Sequence, residues 1–385
     1  MVENVLKGSK FYWAWVAFLL ALIASGLGFG VYQWFEGLGI TGMSRDVPWG
    51  FYIAQFTFLV GVAASAVMVV LPYYLHDYKS FGKITVLGEF VAIASCLMCM
   101  AFIFVDMGRP DRILNVFIHA QPTSMMVFDT LVLFGYLILN ILISLVVFGA
   151  EKRDIAPPKW IKPFIYLSIP WAVSIHTVTA FLYSGLEGRS FWLTAILTPR
   201  FLASAFAGGP ALLIVICLIV RKFCKWHPDE APIRKLGQVV AYAMTANLFF
   251  VLLELFTGLY SDIPHHVHHF EYLFMGHEGH GNLVPWIWAS VLLGFAGLFM
   301  LIVPQIRNNL SLLGVAAVLV FISLWIDKGM AMVVTGFVPS PVGKYTEYAP
   351  TGPELMISLG VWAVGFLVIT GLYKIVISVR EREMA

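Results

Sequence analysis

The sequence predicts an all-α polytopic membrane protein with about ten transmembrane helices. Of its 385 residues, 60% are apolar and only 12% are charged, whereas typical soluble domains have about 45–50% and about 25%. A chain this apolar lacks the polar surface that a water-soluble particle needs. Its apolar segments are unbroken, which is typical of membrane-spanning helices and not of the alternating strands of a membrane β-barrel.

Ten segments are long enough to cross the hydrocarbon core of a bilayer, which takes about 20 apolar residues. We expect them to form one integral membrane domain over residues 1–385. The segments are 11–35, 49–75, 84–105, 123–149, 163–184, 200–220, 236–260, 284–305, 309–327 and 354–379. Only a short polar link separates the eighth segment from the ninth.

The distribution of positive charge predicts a protein of the cytoplasmic membrane with both termini in the cytoplasm. Most of the 24 Lys and Arg residues fall in loops on the side of the N-terminus, and cytoplasmic loops are the ones rich in these residues. The net charge of +2 gives no reason to expect nucleic acid as a partner. The opposite side, called the outer face below, carries Arg45, Arg109, Arg112, Arg189, Arg200, Lys328 and Lys344.

Three ionisable side chains fall inside predicted helices at a similar depth. With 1.5 Å of rise per residue, Asp129, His176 and Glu254 lie about 9, 12 and 9 Å below the outer face. Ionisable groups in the hydrocarbon core are costly and indicate functional sites. An imidazole beside a carboxyl suits proton-coupled quinone chemistry, because quinol oxidation releases protons together with electrons. The structural alternative is that His176 caps a backbone carbonyl and that Asp129 pairs with Arg109 or Arg112.

Other polar residues extend this candidate site. Tyr52, Gln55 and Tyr183 lie near the same depth, where they can orient a quinone ring. Glu89 lies near the cytoplasmic end of the third segment. It either belongs to a proton path or simply reaches the membrane interface.

The sequence predicts neither haem nor an iron–sulfur cluster in this chain. A haem held by two histidines needs both of them inside the membrane, and only His176 lies in the middle of a predicted helix. An iron–sulfur cluster takes four thiolates, and the four cysteines are not spaced to supply them. Cys96 and Cys99 are expected to pack as small apolar residues.

A histidine-rich stretch lies on the outer face between the seventh and eighth segments. It contains His265, His266, His268 and His269, followed by His277, Glu278 and His280. Neutral imidazoles are common ligands of copper and zinc, but an exposed polar loop has the same composition. No metal site is predicted, and the role of residues 265–280 stays open.

Several patterns border or cross the predicted helices. They are Arg45-Asp46-Val47-Pro48-Trp49-Gly50, Asp106-Met107-Gly108-Arg109-Pro110-Asp111-Arg112, Ser174-Ile175-His176-Thr177-Val178-Thr179, Glu187-Gly188-Arg189-Ser190-Phe191-Trp192, Leu253-Glu254-Leu255 and Tyr348-Ala349-Pro350-Thr351-Gly352-Pro353-Glu354. Together they resemble the NrfD/PsrC family, the membrane subunits of polysulfide-reductase-type complexes. Ten helices are similar to the long branch of this family, which includes the DsrP subunits of sulfate reducers.

The resemblance implies a haem-less, quinone-binding membrane subunit of a respiratory oxidoreductase. Such subunits bind menaquinone or another quinone exchangeably near the outer face. They exchange electrons with a docked periplasmic iron–sulfur (ferredoxin-like) subunit, in complexes of anaerobic respiration that contain further membrane and cytochrome subunits. The implied fold has two four-helix bundles, here 49–184 with the quinone site and 200–327, with peripheral helices at 11–35 and 354–379.

By position, the resemblance points to His176 and Asp129 as the catalytic pair. It places Asp106, Arg109 and the segment around Trp49 near the mouth of the quinone site. Glu254 falls in the second bundle, on a proton route together with Glu89.

A chain without its own redox centre passes electrons to its partner at one face of the membrane. We therefore expect exposed aromatic residues of the outer loops, Trp49, Phe191 and Trp192, to form the docking surface. The competing interpretation is a secondary transporter, with the buried ionisable residues as substrate or proton sites. Transporters often have two inverted halves with broken helices in matching places, and Pro170 and Pro210 have no evident counterparts. A purely structural anchor does not explain three ionisable groups at one depth.

Overall fold

The computed structural model describes residues 5–75, 78–277 and 279–383. Within these ranges, ten helices are long and apolar enough to cross a membrane, which confirms the predicted fold class. They are α1 (Lys10–Glu36), α2 (Phe51–Tyr74), α3 (Lys79–Asp106), α4 (Met125–Glu151), α5 (Lys159–Ser184), α6 (Leu197–Phe223), α7 (Glu230–Tyr260), α8 (Val284–Ile302), α9 (Leu310–Thr335) and α10 (Gly352–Glu381).

The short polar link does separate the eighth helix from the ninth. After α8 ends at Ile302, a single helical turn, Pro304–Arg307, leads into the start of α9. Asn309 caps that start, since its side-chain oxygen accepts hydrogen bonds from the backbone N–H groups of Ser311 and Leu312 at 3.0 and 3.3 Å. A side-chain acceptor at this position satisfies N–H groups that have no partner inside the helix.

Helix α9 does not end at residue 327 as predicted, but continues to Thr335 through a π-helical stretch, Trp325–Ala331. Helix α6 likewise begins at Leu197 rather than at 200, so that Arg200 lies inside it. The sequence prediction treated charged residues as helix ends. It was wrong here because Arg200 and Asp327 pair with each other at 2.7 Å, which makes their burial tolerable.

Helix α2 lies at the centre of the molecule. Of its most apolar stretch, 94% is buried inside the protein, compared with 11% for α1. The helix is interrupted at residues 64–66, where the N–H groups of Ala64 and Ser65 turn to the carbonyls of Gly61 and Val62 at 3.1 and 2.9 Å. The run of small residues around this turn lets α6 approach closely: a Cβ at Gly209 would lie 2.8 Å from the Ser65 nitrogen.

The helices pack largely in chain order. Helix α3 packs on α2 and α4, and α4 packs on α5; α6 packs on α7 and α9, and α8 packs on α9. Helix α2 also packs on α6 and on the π-helical stretch of α9, so that residues 49–184 and 200–327 share an interface along it. Helix α1 packs on α10 with Gly26 and Gly360 in contact, since a Cβ on Gly26 would lie 2.8 Å from the Gly360 Cα.

Candidate functional site

Asp129 and Thr179 connect α4 to α5 inside the protein. Both side chains are buried, and the Thr179 hydroxyl lies 2.6 Å from Oδ1 of Asp129. The same hydroxyl lies 2.7 Å from the carbonyl oxygen of Ile175, one turn earlier in α5. A threonine hydroxyl has a single hydrogen to donate. That hydrogen is within reach of two acceptors, the Asp129 carboxyl and the Ile175 carbonyl.

His176 lies one helical turn before Thr179 and is completely buried. Neither of its ring nitrogens has a hydrogen-bond partner among the described residues. A neutral imidazole carries one donor and one acceptor, and leaving both unsatisfied in the interior is expensive. Since buried polar atoms are nearly always paired, these two ring nitrogens indicate a place for a polar ligand. The structural alternative, in which His176 caps a carbonyl, has no support in the described contacts.

An aromatic cluster separates this region from the outer loops. Tyr183, the last aromatic residue of α5, shares a hydrogen bond with the Thr57 hydroxyl of α2. The ring of Trp49 lies 5.3 Å from that of Tyr183 and 6.0 Å from that of Trp192. Trp192 is fully buried and donates its indole N–H to the Met332 carbonyl at 3.0 Å.

The predicted exposure of these aromatic residues is therefore wrong for Trp192, and Trp49 and Phe191 are only half-buried. Gly336 makes the inward position of Trp192 possible, because a Cβ there would overlap the indole ring. Trp192 therefore belongs to the packed interior and not to an exposed docking surface, whereas Trp49 and Phe191 keep part of their surface exposed.

Tyr52 and Gln55, two of the residues predicted to orient a quinone, point toward α1, α9 and α10. Thr57, on the same helix, points toward α5 instead. Tyr52 donates to Oε1 of Gln33 at 2.7 Å, and Gln33 in turn donates to the Val105 carbonyl at 2.6 Å. Oε1 of Gln55 accepts the indole N–H groups of Trp325 and Trp362 at 2.8 and 2.9 Å. Their polar atoms thus link helices to one another. Nothing in these contacts places them beside His176.

Asp106 and Arg109, predicted near the mouth of the site, have different surroundings. Oδ1 of Asp106 is buried and has no hydrogen-bond partner among the described residues. The neighbouring residues line a groove of about 490 Å³ between α1, α3 and α10. The Arg109 side chain is 66% exposed and pairs with Asp111 at 3.0 Å, an interaction that lowers the pKa of the Asp111 carboxyl. The alternative in which Arg109 neutralises Asp129 is thus not seen.

Glu254 is bound by a buried arginine. Arg200 of α6 donates one guanidinium nitrogen to Glu254 of α7 and another to Asp327 of α9, the latter at 2.7 Å. All three side chains are at most 13% exposed. The arginine therefore connects three helices of the second half of the chain, and Glu254 is not a free carboxylate.

Glu89 is buried inside the protein. Its Oε2 accepts a hydrogen bond from Ser144 of α4 at 2.9 Å. Its other oxygen is buried with no partner in the described part of the chain. A buried carboxyl with one open oxygen remains compatible with a proton path.

Lys328 is the residue that sequence reasoning missed. Although it follows Asp327 directly, its side chain points toward α6 and α2, where Nζ lies 3.4 Å from the Phe201 carbonyl and 4.3 Å from the centroid of the Phe201 ring. It is 4% exposed. The Phe201 ring in turn lies 6.0 Å from the ring of Tyr183 in α5. The signal that could have found it is the apolar run after residue 328, which continues the helix to Thr335.

The histidine-rich stretch lies on the outer face and is divided between two small elements. Residues 264–274 form a short helix, Pro264–Phe274, called the outer helix below. His269 is buried there: Nδ1 lies 2.8 and 2.9 Å from the carbonyls of Thr335 and Val338, and Nε2 lies 3.3 Å from the Ser190 hydroxyl. Burial lowers the pKa of His269 to about 4.

The second element is the turn around His277 and His280. His277 stacks on the Tyr345 ring at 4.5 Å, and Nδ1 of His280 lies 3.8 Å from Glu347. Glu278 lies outside the described residues. In the described part of the chain, no three His, Cys, Asp or Glu side chains come together as metal ligands.

The predicted cysteine packing agrees with the structure. Cys96 and Cys99 are buried and unpaired. The Cys99 thiol lies 3.7 Å from the Phe56 carbonyl, which makes it a weak donor within the interior.

Comparison with known proteins places the chain in a family. The sequence profile described as "Polysulphide reductase, NrfD" matches residues 39–336, a range that runs from the loop before α2 to the end of α9. The chain belongs to the NrfD family. The profile covers Asp129, His176 and Lys328, and leaves α1 and α10 outside it.

Relatives of this NrfD-family chain are membrane subunits. It is 26% identical to a putative membrane subunit of dimethyl sulfoxide reductase from Halobacterium salinarum, over 92% of this chain and 89% of that protein. It is 22% identical to the menaquinone reductase integral membrane subunit of Nitratidesulfovibrio vulgaris, over 95% and 91%. With the Hdr-like menaquinol oxidoreductase integral membrane subunit of Archaeoglobus fulgidus it shares 26% identity over 63% and 60%.

Proposed function

We propose that this NrfD-family protein is the quinone-binding membrane subunit of a respiratory oxidoreductase and passes electrons between menaquinone and a periplasmic iron–sulfur subunit. The support is of two kinds. Relatives that align over most of the chain are named as subunits of menaquinone and dimethyl sulfoxide reductases. The buried polar groups of α4 and α5 can form hydrogen bonds with the oxygens of a quinone and exchange protons with them.

The observation that carries the proposal is the unpartnered imidazole of His176 beside the Asp129–Thr179 pair. Each oxygen of a quinone needs a hydrogen-bonding group, and that group must also take up or release a proton when the quinone changes its oxidation state. An imidazole and a carboxyl can both do so. Thr179, one helical turn after His176 on α5, binds the Asp129 carboxyl. His176 and this carboxyl therefore fit the head group of a quinone.

Each residue of this set has a role that follows from its contacts. His176 binds a quinone oxygen and holds or releases its proton, while Thr179 keeps the Asp129 carboxyl in one orientation. Tyr183 and Trp49 close the region toward the outer loops and exclude water. Menaquinone supplies the redox chemistry: two electrons and two protons are taken up or given off per molecule. Asp106 and Arg109 remain proposed for the mouth, and Tyr52 and Gln55 for the shape of the site.

The proposed partner subunit follows from the prediction that this chain holds no redox cofactor of its own. We expect no haem and no iron–sulfur cluster in this chain, so that an electron must leave sideways to a subunit docked on the outer face, with both termini in the cytoplasm. Glu254 and Glu89 are proposed for a proton route, in which Glu254 acts as part of the Arg200 triad. Anaerobic respiration, with sulfate reduction as one case, is the proposed setting.

The test is quinol-dependent electron transfer by the purified complex. His176→Ala and Asp129→Asn are each expected to lower the turnover of a short-chain menaquinol by about 100-fold or more, the usual effect of losing a general acid or base. Assembly and the melting temperature should change little. Turnover at the level of the unaltered complex in both variants would refute the site.

The matched control is Thr177→Ala. Thr177 lies next to His176 on α5, but its hydroxyl bonds only the Val173 carbonyl of its own helix among the described contacts. It should keep full turnover. If the purified protein shows no affinity for menaquinone and transports a solute instead, the transporter interpretation is correct.

A further inference from the structure

We infer that Lys328 of α9 is a quinone-binding residue, so that the second half of the chain completes a site whose other groups come from α4 and α5. This inference rests on the proposed function. It assigns the donor that faces His176 across the interface between the two halves.

The first argument is the lack of partners around the ammonium group. Nζ of Lys328 has three donor positions, yet the one hydrogen bond found for it in the described residues is the long contact of 3.4 Å to the Phe201 carbonyl. Among the described residues, no carboxylate lies within ion-pair distance of Nζ. The carboxylates of Glu254 and Asp327 are bound by Arg200. Amino groups are almost never fully buried without a partner.

The second argument is the backbone that carries Lys328. The side chain lies in the π-helical stretch Trp325–Ala331, and such stretches inside helices are frequent at functional sites. Within this stretch Asp327 bonds Arg200 of α6, whereas the side chain of the next residue ends beside Gly61 of α2. The stretch is anchored on α2 through the hydrogen bond from Trp325 to Gln55 at 2.8 Å.

The third argument is the space left for the ammonium group. Gly61 of α2 has no side chain, and a Cβ there would lie 3.1 Å from Nζ of Lys328. The other near atoms, in Ala205 of α6, would be 3.6 Å or more from it. A glycine at this one place therefore leaves room for the lysine head and for little else.

The contacts of Lys328 connect it to the candidate site on α4 and α5. Nζ lies 4.3 Å from the centroid of the Phe201 ring, and that ring lies 6.0 Å from the ring of Tyr183 in α5, the helix that also carries the two unpartnered ring nitrogens of His176. Two buried side chains with open hydrogen-bonding positions, one from each half of the chain, thus lie on helices that both contact Phe201. A quinone head group has two oxygens on opposite sides of the ring. One oxygen bound by His176 and the other by Lys328 would satisfy both residues.

The experiment compares quinone binding in three variants of the purified complex. Lys328→Met removes the amino group and keeps an unbranched apolar stem of the same length. Gly61→Ala keeps the lysine and adds a methyl group whose close contact is Nζ. Each is expected to raise the KM for a short-chain menaquinol at least tenfold, with a matching loss of affinity in equilibrium titration. Gly208→Ala is the control, since an added Cβ there would meet no atom nearer than 3.5 Å.

The outcomes separate this inference from the proposed function. If the unaltered complex does not bind or turn over menaquinol, the proposed function fails, and the inference fails with it. If the complex is active but Lys328→Met and Gly61→Ala keep its KM, the inference alone is overturned, whatever happens to kcat. If Lys328→Met does not assemble, Gly61→Ala decides, since it retains the charge and the charged residues around it.

Discussion

Nη2 of Arg200 donates a 2.7 Å hydrogen bond to Oδ1 of Asp327, the residue that precedes Lys328 in the π-helical stretch of α9. The pair explains why charged residues can stand inside two membrane helices. A buried ion pair is tolerated when its geometry is good and its remaining polar atoms are satisfied. Here the arginine binds a second carboxylate, Glu254, so that one cation serves two anions.

Removal of Arg200 is expected to destabilise the protein strongly. Arg200→Met leaves Glu254 and Asp327 as two neighbouring buried carboxylates, and breaking a buried pair typically costs about 3–5 kcal/mol. Asp327→Asn should have a smaller effect, because Glu254 still pairs with the arginine. The apparent melting temperatures of the detergent-solubilised complexes show which of the two variants is less stable. Equal melting temperatures for Arg200→Met and the unaltered protein would contradict a structural role for the triad.

The hydrogen bond from Thr179 to Asp129 predicts a graded loss of activity. Thr179→Val removes the hydroxyl and keeps the shape of the side chain, so that Asp129 loses its partner on α5. A hydrogen bond to an ionisable group is worth about 1.5–3 kcal/mol, which corresponds to roughly a 10- to 100-fold loss of menaquinol turnover. Thr179→Ser keeps the hydroxyl and should retain most of the activity. Unchanged turnover in Thr179→Val would mean that Asp129 needs no positioning.

From the burial of His269, we predict that the outer helix becomes less stable as the pH falls. Its pKa is lowered to about 4 by burial, whereas in the unfolded chain it is about 6.5. As the pH falls from about 6.5 to about 4, the unfolded chain takes up the proton first, so that stability decreases over this range and the effect is absent above it.

The measurement is the melting temperature of the complex between pH 8 and pH 4, compared with His269→Gln. The glutamine stays neutral and can still donate to the Thr335 or Val338 carbonyl, so its curve should be flatter below pH 6.5. The exposed His265 provides the control, and His265→Gln should follow the unaltered protein. A His269→Gln curve with the same acid limb as the unaltered protein would show that another group is responsible.

The membrane-spanning helices could be predicted from the sequence because the requirement is local. Each segment that crosses lipid must satisfy its own backbone hydrogen bonds and expose apolar side chains, and both properties can be read from about 20 consecutive residues. The position of His176 and Asp129 within membrane-spanning helices followed for the same reason, since it depends only on where each residue falls in its apolar segment. Their contribution to quinone binding stays a prediction.

The neighbours of these residues could not be predicted in this way. Tyr52 and Gln55 have the predicted depth, but their hydrogen bonds run to α1, α9 and α10. Depth along a helix does not determine which way a side chain points around the helix axis. That direction is set by how each helix is rotated and packed against the others.

Hydropathy alone therefore determined that this chain is a ten-helix membrane protein, and it located the ionisable residues that the hydrocarbon core makes costly. Only the tertiary structure decided which of them meet. The pairing of Arg200 with Glu254 and Asp327, and the approach of Lys328 to Gly61, join residues far apart in the chain. Such contacts depend on the packing of whole helices, where close fit between distant side chains selects one arrangement.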